Sequence, residues 1–303
     1  MALPRRATVI DVGLRDGLQN EATDVATDGK LRLARALVAA GVRELEVTSF
    51  VRPDLVPRMA DAEAVVAGLP RRDDVAYVAL VGNEHGYDRA AAAGVKHVTF
   101  VLCATEVFSE RNVRRTIARS IEELTSLARR GTADGVAVRA AIAVSFGCPF
   151  SGAVAAETVL DLAKRCAAAG VVDLGIADTI GIANPRMVAE RFALVREALP
   201  DARFSAHFHD TRGMGLANVW AALGVGIDRF DASIAGLGGC PFAPGATGNI
   251  ATEDTVHLLH EAGIHTDIDE ERLFAAADVA EDLVGRPSAG RVKKAERAAA
   301  ALR

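Results

Sequence analysis

Short apolar, β-branched runs alternate along this chain with longer Ala/Leu-rich stretches of helical period, and the alternation repeats eight times. The strand-like runs are 7–12, 44–50, 75–81, 97–103, 136–144, 172–177, 203–208 and 229–235. The helical stretches are 28–40, 59–68, 85–93, 112–130, 154–169, 185–198, 213–224 and 250–262. Each strand precedes its helix. Gly41, Gly94, Gly135 and Gly170 stand between a helix and the next strand, where a left-handed C-cap is wanted. Eight β-then-α units in series predict an α/β fold of the (β/α)8 TIM-barrel type. No GxGxxG follows the first strand, so a doubly wound dinucleotide-binding sheet loses its main support. One additional C-terminal helix is expected at about 269–283. The reading is a single barrel domain over 1–285, then a basic, Ala-rich tail over 286–303 expected as a surface or frayed helix.

Composition limits the function classes. A length of 303 residues, half of them apolar, can bury one large barrel core. The net charge of −5 argues against a nucleic-acid-binding surface. No apolar run approaches the ~18 residues a membrane-spanning helix needs. The start, MALPRRATVIDV, runs straight into strand pattern, so no signal or transit peptide is expected. Four cysteines, at 103, 148, 166 and 240, form no CxxC pair. A reducing cytoplasm is the expected location, with Cys103, Cys148 and Cys166 read as buried structural thiols.

In a parallel barrel the side chains at the C-terminal strand ends converge on one mouth. The polar outliers there are Arg15-Asp16 after the first strand, Glu46 in the second, Arg139 in the fifth, Asp178 after the sixth and His207-Phe208-His209 ending the seventh. His207 and His209 are two apart on a strand and share a face, while Phe208 points toward the helices. Closure of the barrel sets the first strand beside the eighth, which brings Asp16 near both imidazoles. Asn249 reaches in from the loop GLGGCPFAPGATGN, residues 236–249. Two imidazole nitrogens, a carboxylate and an amide oxygen suit Mg²⁺ or Mn²⁺ better than a structural zinc. The bland reading of the two histidines is a hydrogen-bonded strand pair.

Cys240 sits in that same loop, which has five glycines in fourteen residues. A backbone so free can approach a ligand closely. A thiol with an ordinary pKa of about 8.5 holds its proton at neutral pH and can deliver it to a carbanion. The alternative is an inert thiol. Glu46 in mid-strand needs a partner, and Arg15 is the obvious one. That pair is either a structural salt bridge or a device for aiming the guanidinium at a substrate. Asp178 either orients a catalytic group or caps the turn before the sixth helix.

The strings VGLRDGLQNE (12–21), EVTSFVRPDLVPRMAD (46–61), GCPFSG (147–152), ADTIGIANP (177–185), HFHDTRGMGLAN (207–218) and GLGGCPFAPGATGN (236–249) carry a resemblance. They resemble hydroxymethylglutaryl-CoA lyase, of the metallolyase group named for its Asp-Arg-Glu barrel motif. The resemblance implies a divalent metal, Mg²⁺ or Mn²⁺, held by Asp16, His207, His209 and Asn249. It implies that Arg15, held by Glu46, stabilises the oxygen of a thioester enolate, and that Cys240 protonates the departing enolate. Asp178 supports the site around the reacting hydroxyl, and His207 or a neighbouring Asp takes the hydroxyl proton. The implied substrate is a 3-hydroxyacyl-CoA, and the implied assembly is a homodimer.

This chain departs from the family pattern at four places. Leu14 stands where Pro is usual, and Ala22 where Lys is usual. Ala141 replaces a Tyr of the fifth strand and Gly175 a Ser of the sixth. The last two enlarge the pocket, so a different 3-hydroxy-3-alkyl acyl-CoA is the alternative substrate. A condensing synthase using acetyl-CoA, or a non-catalytic barrel, are the competing classes.

Overall fold

The computed structural model describes residues 3–239, 248–300 and 302. The strands are β1 (Thr8–Asp11), β2 (Glu44–Phe50), β3 (Ala76–Val81), β4 (His97–Cys103), β5 (Ala137–Ala143), the short pair β6 (Gly147–Cys148) and β7 (Gly152–Ala153), then β8 (Asp173–Asp178), β9 (Arg203–Phe208) and β10 (Arg229–Ala232). All but β6 and β7 form a closed barrel in the order β1-β10-β9-β8-β5-β4-β3-β2. Every neighbouring pair in it is parallel. β6 and β7 make an antiparallel hairpin on the loop after β5, which strand periodicity did not signal.

The helices form the outer ring: α1 (Thr27–Ala40), α2 (Ala62–Gly68), α3 (Glu84–Ala92), α4 (Glu106–Val113), α5 (Ile117–Asp134), α6 (Ala156–Ala168), α7 (Pro185–Ala198), α8 (Gly215–Gly224), α9 (Thr252–Glu261), α10 (Glu270–Val284) and α11 (Val292–Ala300). None of them, among the described residues, is long and apolar enough to cross a membrane. The greasy core lies between strands and helices. Ile10, Phe50, Phe100, Phe208 and Phe230 are fully buried there. The strand positions that line the mouth mix small apolar residues with Glu46, Thr99, Arg139, His207 and Asp231.

The four expected C-cap glycines all have positive φ. The single helix expected over 112–130 is instead two. Arg114 adopts a left-handed conformation (φ 56°) and ends α4. The Thr116 side chain then caps α5 by accepting the Arg119 amide at 3.2 Å. The Glu106 carboxylate accepts the Ile117 amide at 2.9 Å across the break. The strand expected to run to 235 stops at Ala232, because Ala235 is left-handed (φ 59°) within a short 3₁₀ turn.

The C-terminal segment is a docked helix rather than a frayed one. The Asp254 carboxylate accepts the amides of Arg291 and Val292 at 2.9 Å each. Lys293 is 3% exposed and is paired with Asp278 at 3.1 Å and Glu281 at 2.5 Å.

At the N-terminal end of the barrel, Arg229 is clamped between the first residues of two other strands. Its guanidinium bonds Asp173 at 2.9 and 3.0 Å and Glu44 at 2.6 Å. Removing one member of a buried ion network leaves the others desolvated and unpaired. Arg229→Met is expected to cost about 3 kcal/mol of unfolding free energy. A urea titration checks this, and an unchanged midpoint would show that the network adds nothing.

Candidate active site

The site starts from an irregularity at the end of β1. Residues Gly13–Gly17 form a π-helical turn, a wider turn that recurs at functional sites. Asp11 holds it in place: its carboxylate accepts the Gly13 amide at 2.9 Å, the Ile234 amide at 2.9 Å and the Thr252 hydroxyl at 2.6 Å. Burial pushes the Asp11 pKa up to about 6, against the pull of those three bonds. The turn aims Arg15 and Asp16 into the C-terminal mouth.

Arg15 is the hinge of the charge pattern. Its Nε donates to Glu46 Oε2 at 2.5 Å, and its Nη1 to Asp16 Oδ1 at 2.6 Å. Burial works to lower the Arg15 pKa, but Glu46 and Asp16 outweigh it and keep the guanidinium charged. The other oxygen of Asp16 accepts the Asn249 amide nitrogen at 2.8 Å and lies 4.0 Å from His207 Nε2. Burial would raise Asp16, but Arg15 and then the two imidazoles bring it down to about 2.

The two histidines are fixed from outside the mouth. His209 Nδ1 lies 2.9 Å from the Asp178 carbonyl oxygen, which only accepts, so Nδ1 carries the proton and Nε2 the free lone pair. Burial, then neighbouring His207, lowers the His209 pKa to about 4. His207 Nδ1 lies 3.3 Å from Asp231 Oδ2. Burial works to lower the His207 pKa, but Asp231 and Asp16 raise it. The rings stand 5.1 Å apart, and Phe208 between them points to the helices as expected.

Ligand atoms of Asp16, His207 and His209 lie within 4.8 Å of one another. His209 Nε2 and Asn249 Oδ1 are buried and have no hydrogen-bond partner. Buried polar atoms are nearly always paired, so two orphans beside a carboxylate mark a place for a cation. The mixed nitrogen and oxygen donors fit a divalent ion with open positions.

The remaining sequence-derived residues divide. Glu46 reaches the site. Asp178 does not present its carboxylate: its two oxygens accept the Ile182 and Ala183 amides at 2.9 and 3.0 Å. It therefore caps the turn before α7, with burial holding its pKa up at about 6, while its carbonyl faces His209 Nδ1. Cys240 lies outside the described residues. Gly239 before it lines the mouth, and its carbonyl accepts from Asn20 at 3.1 Å.

One residue had been passed over. Asp231 on β10 bridges His207 to Arg139, whose Nη2 donates to it at 2.8 and 2.9 Å. A carboxylate in the apolar run around 229–236 was the available signal. Arg139 stood out on its strand, but its partner was not legible. The mouth encloses a cavity of about 270 Å³ lined by Arg15, Asp16, Glu46, Arg139, His207 and His209 among others.

The HMGL-like family model matches residues 6–280. A hydroxymethylglutaryl-CoA lyase of Pseudomonas mevalonii is 43% identical, over 87% of this chain and 87% of its own length. A 3-hydroxy-3-isohexenylglutaryl-CoA/hydroxymethylglutaryl-CoA lyase of Pseudomonas aeruginosa is 39% identical over 97% of this chain and 98% of its own. The structure of an HMG-CoA lyase from Acinetobacter baumannii, in complex with coenzyme A and 3-methylmalate, superposes with a TM-score of 0.92. It is 38% identical and the match covers 97% of this chain and 96% of that one. Fold, site geometry and relatives agree, and the chain belongs to the HMGL-like family.

Proposed function

We propose that this chain is a divalent-metal-dependent carbon–carbon lyase that cleaves a 3-hydroxyacyl-CoA by a retro-Claisen reaction. The leading substrate is 3-hydroxy-3-methylglutaryl-CoA, giving acetyl-CoA and acetoacetate. The observation that carries the reading is the pair of orphaned buried atoms, His209 Nε2 and Asn249 Oδ1, set against Asp16 and next to a charged Arg15. Relatives that act on acyl-CoA thioesters and differ in the group at C3 support the reaction class more strongly than the substituent.

Asp16, His207, His209 and Asn249 would hold Mg²⁺ or Mn²⁺. Bound there, the ion supplies Lewis acidity that lowers the pKa of a hydroxyl. The one free lone pair of His207, on Nε2, would be available to the ion before substrate binds and to the 3-hydroxyl proton during cleavage. Asp231 on Nδ1 stabilises the imidazolium that results. As the hydroxyl becomes a carbonyl, the C2–C3 bond breaks and its electron pair moves to C2 as the thioester enolate.

Arg15, pinned by Glu46, offsets the charge on the enolate oxygen in a buried site, where such a contact typically contributes a few kcal/mol. Cys240 donates its thiol proton to C2 and recovers it from solvent. Asp178 is a positioning residue, acting through the carbonyl that orients His209.

Purified protein loaded with Mn²⁺ should release acetoacetate from 3-hydroxy-3-methylglutaryl-CoA, and chelation should abolish the release. Failure to cleave any 3-hydroxyacyl-CoA with Mn²⁺ bound would refute the assignment. Cys240→Ser should lower kcat by on the order of 10²–10⁴, the range for loss of a proton donor. Asp231→Asn should weaken Mn²⁺ binding by about 10–100-fold, as loss of a ligand-orienting group does. Electron paramagnetic resonance titration of free Mn²⁺ measures that directly, and an unaltered affinity would mean that Asp231 does not tune His207.

A further inference from the structure

One wall of the cavity has almost no bulk. Ala141 and Ala143 of β5 and Gly175 and Ala177 of β8 line it, and Ala141 and Gly175 are direct register partners. Leu80 and Val101 line it as well, so this part of the mouth is apolar. One inward-facing position deeper, the lining changes. Thr99 and Arg139 are register partners across β4 and β5. They lie two residues below the Val101–Ala141 pair, about 6.6 Å down the strands.

Both deeper residues line the cavity, and both are more than nine-tenths buried. Thr99 Oγ1 and Arg139 Nε have no hydrogen-bond partner. Of the other nitrogens of that guanidinium, Nη2 donates to Asp231 and, at 2.5 Å, to Ser205. Leaving a buried donor unmade is costly, and here two belong to register partners that both line the cavity. Gly175 makes room for that guanidinium. A Cβ at that position would stand 2.8 Å from Arg139 Nη2 and 3.4 Å from Nε. The nearby charges leave no positive excess, since Arg139 and Arg15 already face three carboxylates, Asp231, Glu46 and Asp16. The floor therefore suits a neutral acceptor rather than another carboxylate.

We propose that Thr99 and Arg139 determine specificity, by receiving a neutral oxygen at the tip of an elongated, otherwise apolar substituent on C3 of the substrate. The small wall at Ala141 and Gly175 passes the chain, and the two donors bind its hydroxyl or carbonyl end. The inference rests on the lyase reading above and narrows it to substrates larger than the 3-methyl compound.

Three glutaryl-CoA thioesters with a 3-hydroxyl distinguish the outcomes: the 3-methyl, the 3-pentyl and the 3-(4-hydroxybutyl) compounds, the last two matched in length. The expected order of kcat/KM places the hydroxybutyl compound first, ahead of the pentyl compound by tenfold or more, on the order of one buried hydrogen bond made or lost. Thr99→Val, which keeps the shape and removes the hydroxyl, should shrink that ratio several-fold. Ala141→Leu should lower the ratio of either long compound to the methyl one. A melting curve on each variant verifies that it folds. Equal turnover of the two long compounds, or preference for the methyl one, overturns the inference and leaves the floor to water while the lyase reading stands. No cleavage of any of the three overturns both.

Discussion

Two guanidinium groups and three carboxylates share the buried mouth of this barrel, and they are tolerable there only because each lies against an opposite charge. Arg15 faces Glu46 and Asp16, and Arg139 faces Asp231. An isolated charge at that depth would cost several kcal/mol, so the pairs come as a set. The set also has a shape. Asp16 spends one oxygen on Arg15 and turns the other toward Asn249 and His207. Asp231 spends its carboxylate on Arg139 and on the far nitrogen of His207. The same contacts that make burial affordable therefore fix where the free lone pairs point.

What is left unpaired carries the functional reading. The described residues satisfy most of their buried polar atoms, and the exceptions around the mouth are few: His209 Nε2, Asn249 Oδ1, Thr99 Oγ1 and Arg139 Nε. The first two border the carboxylate of Asp16 and fit a cation. The other two lie deeper, below a wall of small residues, and fit a neutral oxygen. The donor pair belongs to residues set further down the strands than the groups bordering the cation site, and Asp231 joins Arg139 to His207. The opposite end, around Arg229, is a clamp joining three strands and takes no part in the mouth.

Much of this was legible before any coordinates. Period-2 and period-3.6 patterns located the eight strands and most helices, because each buries one face against a neighbour. The His207–His209 pair was legible because strand alternation sets both imidazoles on one face. The Arg15–Glu46 pair followed from the need of a mid-strand carboxylate for a cation. Asp231 was harder: its partners Arg139 and His207 are 92 and 24 residues away in sequence, and only barrel closure joins them. The break at Arg114 was hidden because no Gly or Pro marks it, and a single left-handed residue makes it. For Asp178 the sequence left two roles open, and the backbone turn over 179–184 settled where its carboxylate goes.

The sequence by itself determined the barrel, the family resemblance and the identity of the groups offered to a metal, since these depend on local periodicity and on short strings of residues. Only the tertiary structure decided which nitrogen of each histidine is free, which oxygen of Asp16 is occupied and which donors on the cavity floor remain unmatched. Those are matters of pairing between strands far apart in the chain. Pairing is set by the register of a closed sheet, which no local pattern encodes.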